Sequence, residues 1–139
     1  MAQLKPVTTG GLLKDVNDNF NALSTVGAVT AAAVTIANGQ SLSDAVDLMA
    51  LGPVVGIITD AAWDANTMTF QGSYDGVTYT DLRQMGVEVA VPGVAASSME
   101  ALDPLQFLPC KYLKVRSGTA ANPVPQTGDT VVTIICRPV

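Results

Sequence analysis

Four acidic side chains between residues 64 and 88 are the groups of this sequence best suited to acid–base chemistry. They are Asp64, Asp75, Asp81 and Glu88. A pair of carboxylates flanking a scissile bond is the usual machinery of glycoside hydrolysis. However, Asp75 precedes Gly76 in a turn-forming dipeptide, and Asp64 and Asp81 flank predicted strands, where solvated acids are ordinary. We therefore predict that the chain is not an enzyme.

Histidine, the commonest general base and metal ligand, does not occur in the sequence. Catalytic triads and zinc sites of the usual kinds therefore lack their central residue. Cys110 and Cys136 stand at the edges of two predicted strands and form no C-x-x-C motif. Two buried free thiols are favoured over a disulfide in a reducing compartment. The sequence predicts neither a metal site nor a cofactor.

Three aromatic residues near a turn suggest a binding surface. Trp63, Tyr74 and Tyr79 surround the dipeptide Asp75-Gly76, and exposed aromatic rings of this kind can stack on sugars. The favoured alternative is structural, with Trp63 as a large core residue and the two tyrosines packing across neighbouring strands.

The composition limits the class of protein. Hydrophobic residues make up 48% of the chain and charged residues 14%, against about 25% charged in an average soluble domain. No stretch reaches the roughly 18 apolar residues of a membrane helix, so we expect no membrane partner. The seven basic residues do not cluster and the net charge is −5, which argues against nucleic-acid binding. A chain with this apolar composition is expected to cover part of its surface, which favours a homo-oligomer or attachment to a larger assembly.

The segment from Trp63 to Leu82 reads as a β-hairpin. Residues 67–72 alternate between two faces, as expected for a half-buried strand. Asp75-Gly76 tolerates the positive φ angles of a tight turn, and residues 77–80 alternate again as the returning strand.

Other short segments with turn signals between them also predict strands. They are residues 29–36, 53–59, 86–91, 111–116 and 130–136, while residues 41–48 fit either a short strand or one helical turn. Seven or eight such strands predict an all-β fold, an antiparallel β-sandwich with a jelly-roll-like path over residues 26–139.

Residues 1–25 read as an N-terminal arm that carries a short amphipathic helix. The apolar residues of this helix recur at spacings of three and four, and they are Leu12, Leu13, Val16, Phe20 and Leu23. Several Asn and Asp residues weaken its intrinsic helix propensity, so it needs a partner surface. The helix either packs on its own domain or docks on another subunit or a host assembly. The start of the chain lacks the apolar core of a signal peptide, so we expect synthesis in a cytoplasm.

Three successive segments resemble small virion proteins of tailed bacteriophages. They are T-M-T-F-Q-G-S-Y-D-G-V-T-Y-T-D-L, K-Y-L-K-V-R-S-G-T and P-V-P-Q-T-G-D-T-V-V-T-I-I-C-R-P. The likeness covers residues 40–139 and, more loosely, the arm. It is a likeness of the whole pattern rather than of one diagnostic motif.

The resemblance implies a structural protein of the capsid decoration (cement) or head-fibre type, commonly trimeric. It implies binding to the major capsid protein on the outside of the mature capsid, after synthesis in the cytoplasm of the host bacterium. Leu12, Leu13, Val16 and Phe20 would form one partner contact, and strand faces between subunits another. The alternative is a tail or head-fibre adsorption module that binds host surface glycan through the three aromatic residues above.

Overall fold

Two antiparallel sheets form the framework of residues 28–137, the part of the chain that this computed structural model describes. The strands are β1 Thr30–Ile36, β2 Val46–Asp47, β3 Val54–Thr59, β4 Thr67–Ser73, β5 Thr80–Asp81, β6 Arg83–Gln84, β7 Val87–Glu88, β8 Ala90–Pro92, β9 Met99–Ala101, β10 Tyr112–Ser117 and β11 Thr130–Cys136. A 3₁₀ helix spans Pro104–Phe107. Asp103 caps it by accepting a hydrogen bond from the backbone NH of Leu105, and Pro104 supplies a helical φ at its start.

The strand order is that of a jelly roll. The first sheet has the order β1-β11-β3-β9, and the second has the order β2-β10-β4-β5, with β8 also paired to β4. The chain passes repeatedly from one sheet to the other, which produces the two Greek keys of this architecture. The predicted all-β antiparallel sandwich with a jelly-roll-like path is therefore confirmed.

The core lies between the two sheets and is built from alternating strand residues. In β11, Val132 and Ile134 face inward, and in β10, Leu113 and Val115 do so; all four are fully buried. Phe70 of β4 meets Phe107 of the 3₁₀ helix edge to face, with ring centroids 5.0 Å apart. This contact ties the loop between β9 and β10 to the core.

The predicted hairpin after β4 forms, but its returning strand begins at Thr80 rather than at residue 77. The carboxylate of Asp75 causes the delay because one of its oxygens accepts hydrogen bonds from the backbone NH groups of Val77 and Thr78, each at 2.9 Å. These bonds also lower the pKa of Asp75. The result is an ordered loop in place of a tight two-residue turn.

Two further segments test the strand predictions, one where two alternatives were open and one where a single strand was predicted. Residues 41–48 contain the short strand β2, in which Val46 pairs with Leu113, so the strand alternative is confirmed. The single strand predicted over residues 86–91 is wrong, because the chain breaks at Val89 into two strands with different partners. Val89 instead donates its backbone NH to the carbonyl of Leu82 at 2.9 Å.

Both cysteines are free thiols, as predicted. Cys136 is buried in β11 and Cys110 is half-buried after the 3₁₀ helix, and burial raises the pKa of each thiol. Within residues 28–137, no helix has the length and apolar character needed to cross a membrane. The predicted arm, residues 1–25, and its helix lie outside the described residues.

Candidate functional site

An inserted hairpin interrupts one edge strand of the jelly roll. Strand β5 pairs with one half of β4 and β8 pairs with the other half, and the pairing register shifts between them. The shift arises because the chain leaves the sheet after Leu82, whose backbone NH still donates to the carbonyl of Phe70, and folds into the small hairpin β6–β7. We call residues 82–89 the inserted hairpin.

The turn of the inserted hairpin places a methionine in an unfavourable backbone conformation. Gln84 pairs with Val87, and the two residues between them both have positive φ, 52° for Met85 and 83° for Gly86. This is the signature of a type I′ turn, which prefers Asn, Asp or Gly at both positions. A side chain such as that of methionine is uncommon there. Met85 is nevertheless 96% exposed, so it contributes no packing to the chain that carries it.

The base of the inserted hairpin is fixed by a buried arginine. Arg116 of β10 is only 5% exposed and faces away from the core, opposite to its neighbour Val115. Its guanidinium donates to the carboxylate of Asp81 and, at 3.2 Å, to Oε2 of Glu88. The same Glu88 oxygen accepts the backbone NH of Ala120 at 2.9 Å. Asp81 and Glu88 stand at the two ends of the hairpin, so one guanidinium clamps both.

The inserted hairpin also contacts the 3₁₀ helix. The side chains of Gln106 and Gln84 are joined by a hydrogen bond of 2.7 Å. Three apolar side chains in these two elements remain exposed: Met85, Val87 and Leu105. We call them the hairpin tip patch. Exposed apolar side chains grouped on neighbouring elements are a common feature of protein contact surfaces.

The four predicted acidic residues all have bonding partners that explain their positions. Asp81 and Glu88 both accept hydrogen bonds from the guanidinium of Arg116. The hydrogen bond from Arg116 to Asp81 is the main cause of the lowered pKa of Asp81. Asp75 orders its own loop, and Asp64 accepts a hydrogen bond from Oγ1 of Thr127 at 3.0 Å. The two carboxylates that do approach each other are therefore neutralised by a cation.

The three predicted aromatic residues do not form one platform. Trp63 is buried in the core, where its Nε1 donates to the carbonyl of Ala65 at 2.7 Å. Tyr79 is half-buried, and its ring lies under the ammonium of Lys114, which is 4.2 Å from the ring centroid. Tyr74 alone is widely exposed, at 76%.

Tyr74 borders a cleft beside the inserted hairpin. The cleft has a volume of about 340 Å³, within the usual range for small-molecule sites. Its lining combines the tyrosine ring with polar groups, including Ser73, Thr78, Asp81 and Arg83. We call it the hairpin cleft.

Sequence reasoning identified the residues of the hairpin cleft in part and missed the inserted hairpin. The dipeptide Met85-Gly86 lacks the Asn-Gly or Asp-Gly signal of a type I′ turn, so the segment resembled a continuous strand. The available signal was the pair of opposite charges, Arg83 and Glu88, placed symmetrically about Met85-Gly86. Leu12, Leu13, Val16 and Phe20 lie outside the described residues.

The chain matches no family model, and a search of the curated proteins finds no match. Among residues 28–137, no group of three or more Cys, Asp or Glu side chains is placed to hold a metal ion.

Proposed function

We propose that the protein is a capsid decoration protein of a tailed bacteriophage, which binds the outside of the mature capsid as a homotrimer. The observation that carries the proposal is Met85, an exposed apolar side chain at a turn position that disfavours it. A residue that breaks a local rule without benefit to the fold points to a contact outside the chain. The jelly-roll sandwich, an architecture used by viral capsid domains, and the resemblance of residues 40–139 support the same conclusion.

The mechanism rests on a rigid apolar contact that is repeated. The clamp of Arg116 on both ends of the inserted hairpin limits the entropy lost when the hairpin tip patch docks on coat protein. Burial of one such side chain contributes about 1.5–3 kcal/mol. A trimer presents three patches, so weak single contacts add through effective concentration. Binding to the mature lattice alone would stabilise that lattice against internal pressure.

Met85→Asn separates the proposed contact from the stability of the fold. Asparagine tolerates positive φ, so we expect the free energy of unfolding to stay equal or to rise by up to about 1 kcal/mol. Loss of the apolar contact should raise the concentration needed for half-occupancy of capsids about tenfold or more. Thermal unfolding and co-sedimentation with mature and immature capsids measure the two effects.

Val131→Asn is the matched control, because Val131 is an exposed apolar residue on β11, outside the inserted hairpin. It should leave capsid occupancy unchanged. Full occupancy by the Met85→Asn protein would refute the proposed contact. Equal binding of the parent protein to immature capsids would refute selective binding to the mature capsid. A solution mass of one chain would refute the homotrimer.

A second candidate function is the binding of host surface glycan, as in an adsorption module. The exposed ring of Tyr74 beside Asp81 and Arg83 in the hairpin cleft favours it, because sugar sites combine ring stacking with polar groups. Here Tyr74→Ala should abolish binding on a glycan array. Val77→Ala, a change in the same loop at a residue that does not line the cleft, should leave it intact. A parent protein that binds no glycan would eliminate this candidate.

A further inference from the structure

A second cleft lies at the end of the sandwich where β1 begins. It has a volume of about 180 Å³ and is lined mainly by apolar side chains, namely Leu48, Met49, Pro53, Val54, Phe107 and Leu108. Met49 and Leu108 are 68% and 57% exposed, so the rim of the cleft is apolar as well. We call it the apolar cleft. No charged side chain lines it, which favours an uncharged, apolar occupant.

The described chain starts beside this cleft. The hydroxyl of Thr30 donates to the carbonyl of Leu51 at 2.9 Å, and the next residue, Gly52, lines the cleft. At the same place, the backbone NH of Arg137 donates to the carbonyl of Pro53 at 3.0 Å. The segment that precedes residue 28 therefore joins the sandwich next to an open apolar surface.

That segment carries an anchor of suitable size. Phe20 is the one aromatic residue of the sequence that lies outside residues 28–137. A cavity of about 150 Å³ is known to hold a benzene molecule, so the apolar cleft has room for one phenyl ring. The roughly eight residues from Phe20 to residue 28 span up to about 26 Å when extended, which is ample for a return to the cleft.

We infer that residues 12–23 dock on the apolar cleft of their own chain, with the ring of Phe20 as the anchor. The stripe of Leu12, Val16, Phe20 and Leu23 then covers the rim formed by Met49 and Leu108. Docking within one chain is favoured over docking on another copy, because a short tether gives an effective concentration in the millimolar range. The inference does not rest on the proposed function, since it uses neither the inserted hairpin nor a capsid.

Cys110 makes a test possible, because this half-buried free thiol lies between the two clefts and lines the apolar cleft as well as the hairpin cleft. Val16→Cys places a second thiol one helical turn from Phe20 on the predicted apolar face. Mild oxidation of the full chain at micromolar concentration should then join residue 16 to Cys110 within one molecule. Asp18→Cys, on the opposite face, should give on the order of tenfold less of this product. Peptide mass mapping distinguishes Cys110 from Cys136, which is buried.

Thermal unfolding provides a second measurement that needs no new thiol. Phe20→Ala and Leu108→Ala should each lower the melting temperature by about 3 °C or more, and the double variant should lose less than the sum because the two residues share one contact. A cross-link found only between chains would overturn the inference in favour of arm exchange. Absence of the Cys110 link, or additive losses in the double variant, would also overturn it.

Discussion

Phe70→Ala is expected to lower the free energy of unfolding by about 3–5 kcal/mol, the range for deleting a buried phenyl ring. Phe70 is fully buried in β4 and meets the ring of Phe107 edge to face. The truncation leaves a cavity between the second sheet and the 3₁₀ helix, so both elements lose contacts. Chemical denaturation would measure the loss, and the melting temperature should fall on the order of 10–20 °C.

Two control variants test this explanation. Phe70→Leu keeps most of the volume and should cost about 1–1.5 kcal/mol, chiefly the edge-to-face contact. Tyr74→Ala changes an aromatic residue that is largely exposed and should stay within about 0.5 kcal/mol of the parent. A Phe70→Ala protein as stable as Phe70→Leu would mean that the buried volume of the side chain at residue 70 does not stabilise the fold.

Arg116→Met is expected to lower the free energy of unfolding at pH 7 by about 2–4 kcal/mol. Removal of a buried cation leaves the carboxylates of Asp81 and Glu88 facing each other without compensation. The value lies below the usual range for buried pairs because both carboxylates retain contact with water. The inserted hairpin should also loosen, which amide hydrogen exchange of residues 82–89 would detect.

The effect of Arg116→Met should depend on pH. The guanidinium lowers the pKa of Asp81 in the folded protein. The stability that this ion pair contributes is therefore present above the unfolded pKa of about 4, and it is lost as the pH falls through the pKa of the folded protein. The difference in stability between parent and variant should therefore shrink below pH 4.

Two variants check that charge and geometry cause this loss. Arg116→Lys keeps the charge but not the forked geometry. Its free energy of unfolding should therefore lie between those of the parent protein and of Arg116→Met. Arg137→Met, at an exposed position, should show neither the loss nor the pH dependence. A difference that stays constant from pH 7 to pH 3 would contradict the ionic explanation.

Much of the fold followed from local sequence signals, because each sheet buries one face. A near-continuous apolar run in residues 130–136 and alternation in residues 67–72 marked strands whose inward side chains lie in the core. The turn after β1 contains the turn-forming dipeptide Asn38-Gly39, in which Gly39 has a positive φ of 82°. The number of strands and the limited set of all-β architectures then favoured a jelly roll.

The site was harder to predict because its determinants are tertiary. Arg116 lies on the face of β10 that alternation assigns to solvent, yet it is buried there in contact with the carboxylates of Asp81 and Glu88, which lie at the base of the inserted hairpin. Burial by an insertion leaves no periodic signal in the buried strand itself. The role proposed for Met85 likewise depends on a backbone conformation that its sequence neighbours do not encode, because Gly86 alone does not specify a type I′ turn.

The inserted hairpin also changes how the sheets can meet another chain. By splitting an edge strand into β5 and β8, it removes the long row of free backbone groups that attracts further strands and leads to aggregation. The edge strands β2 and β9 are short, and on the edge strand β1 the carboxylate of Asp44 accepts the backbone NH of Thr35 at 2.9 Å. Copies of this chain on a crowded surface should therefore associate through side chains and not by sharing a continuous sheet.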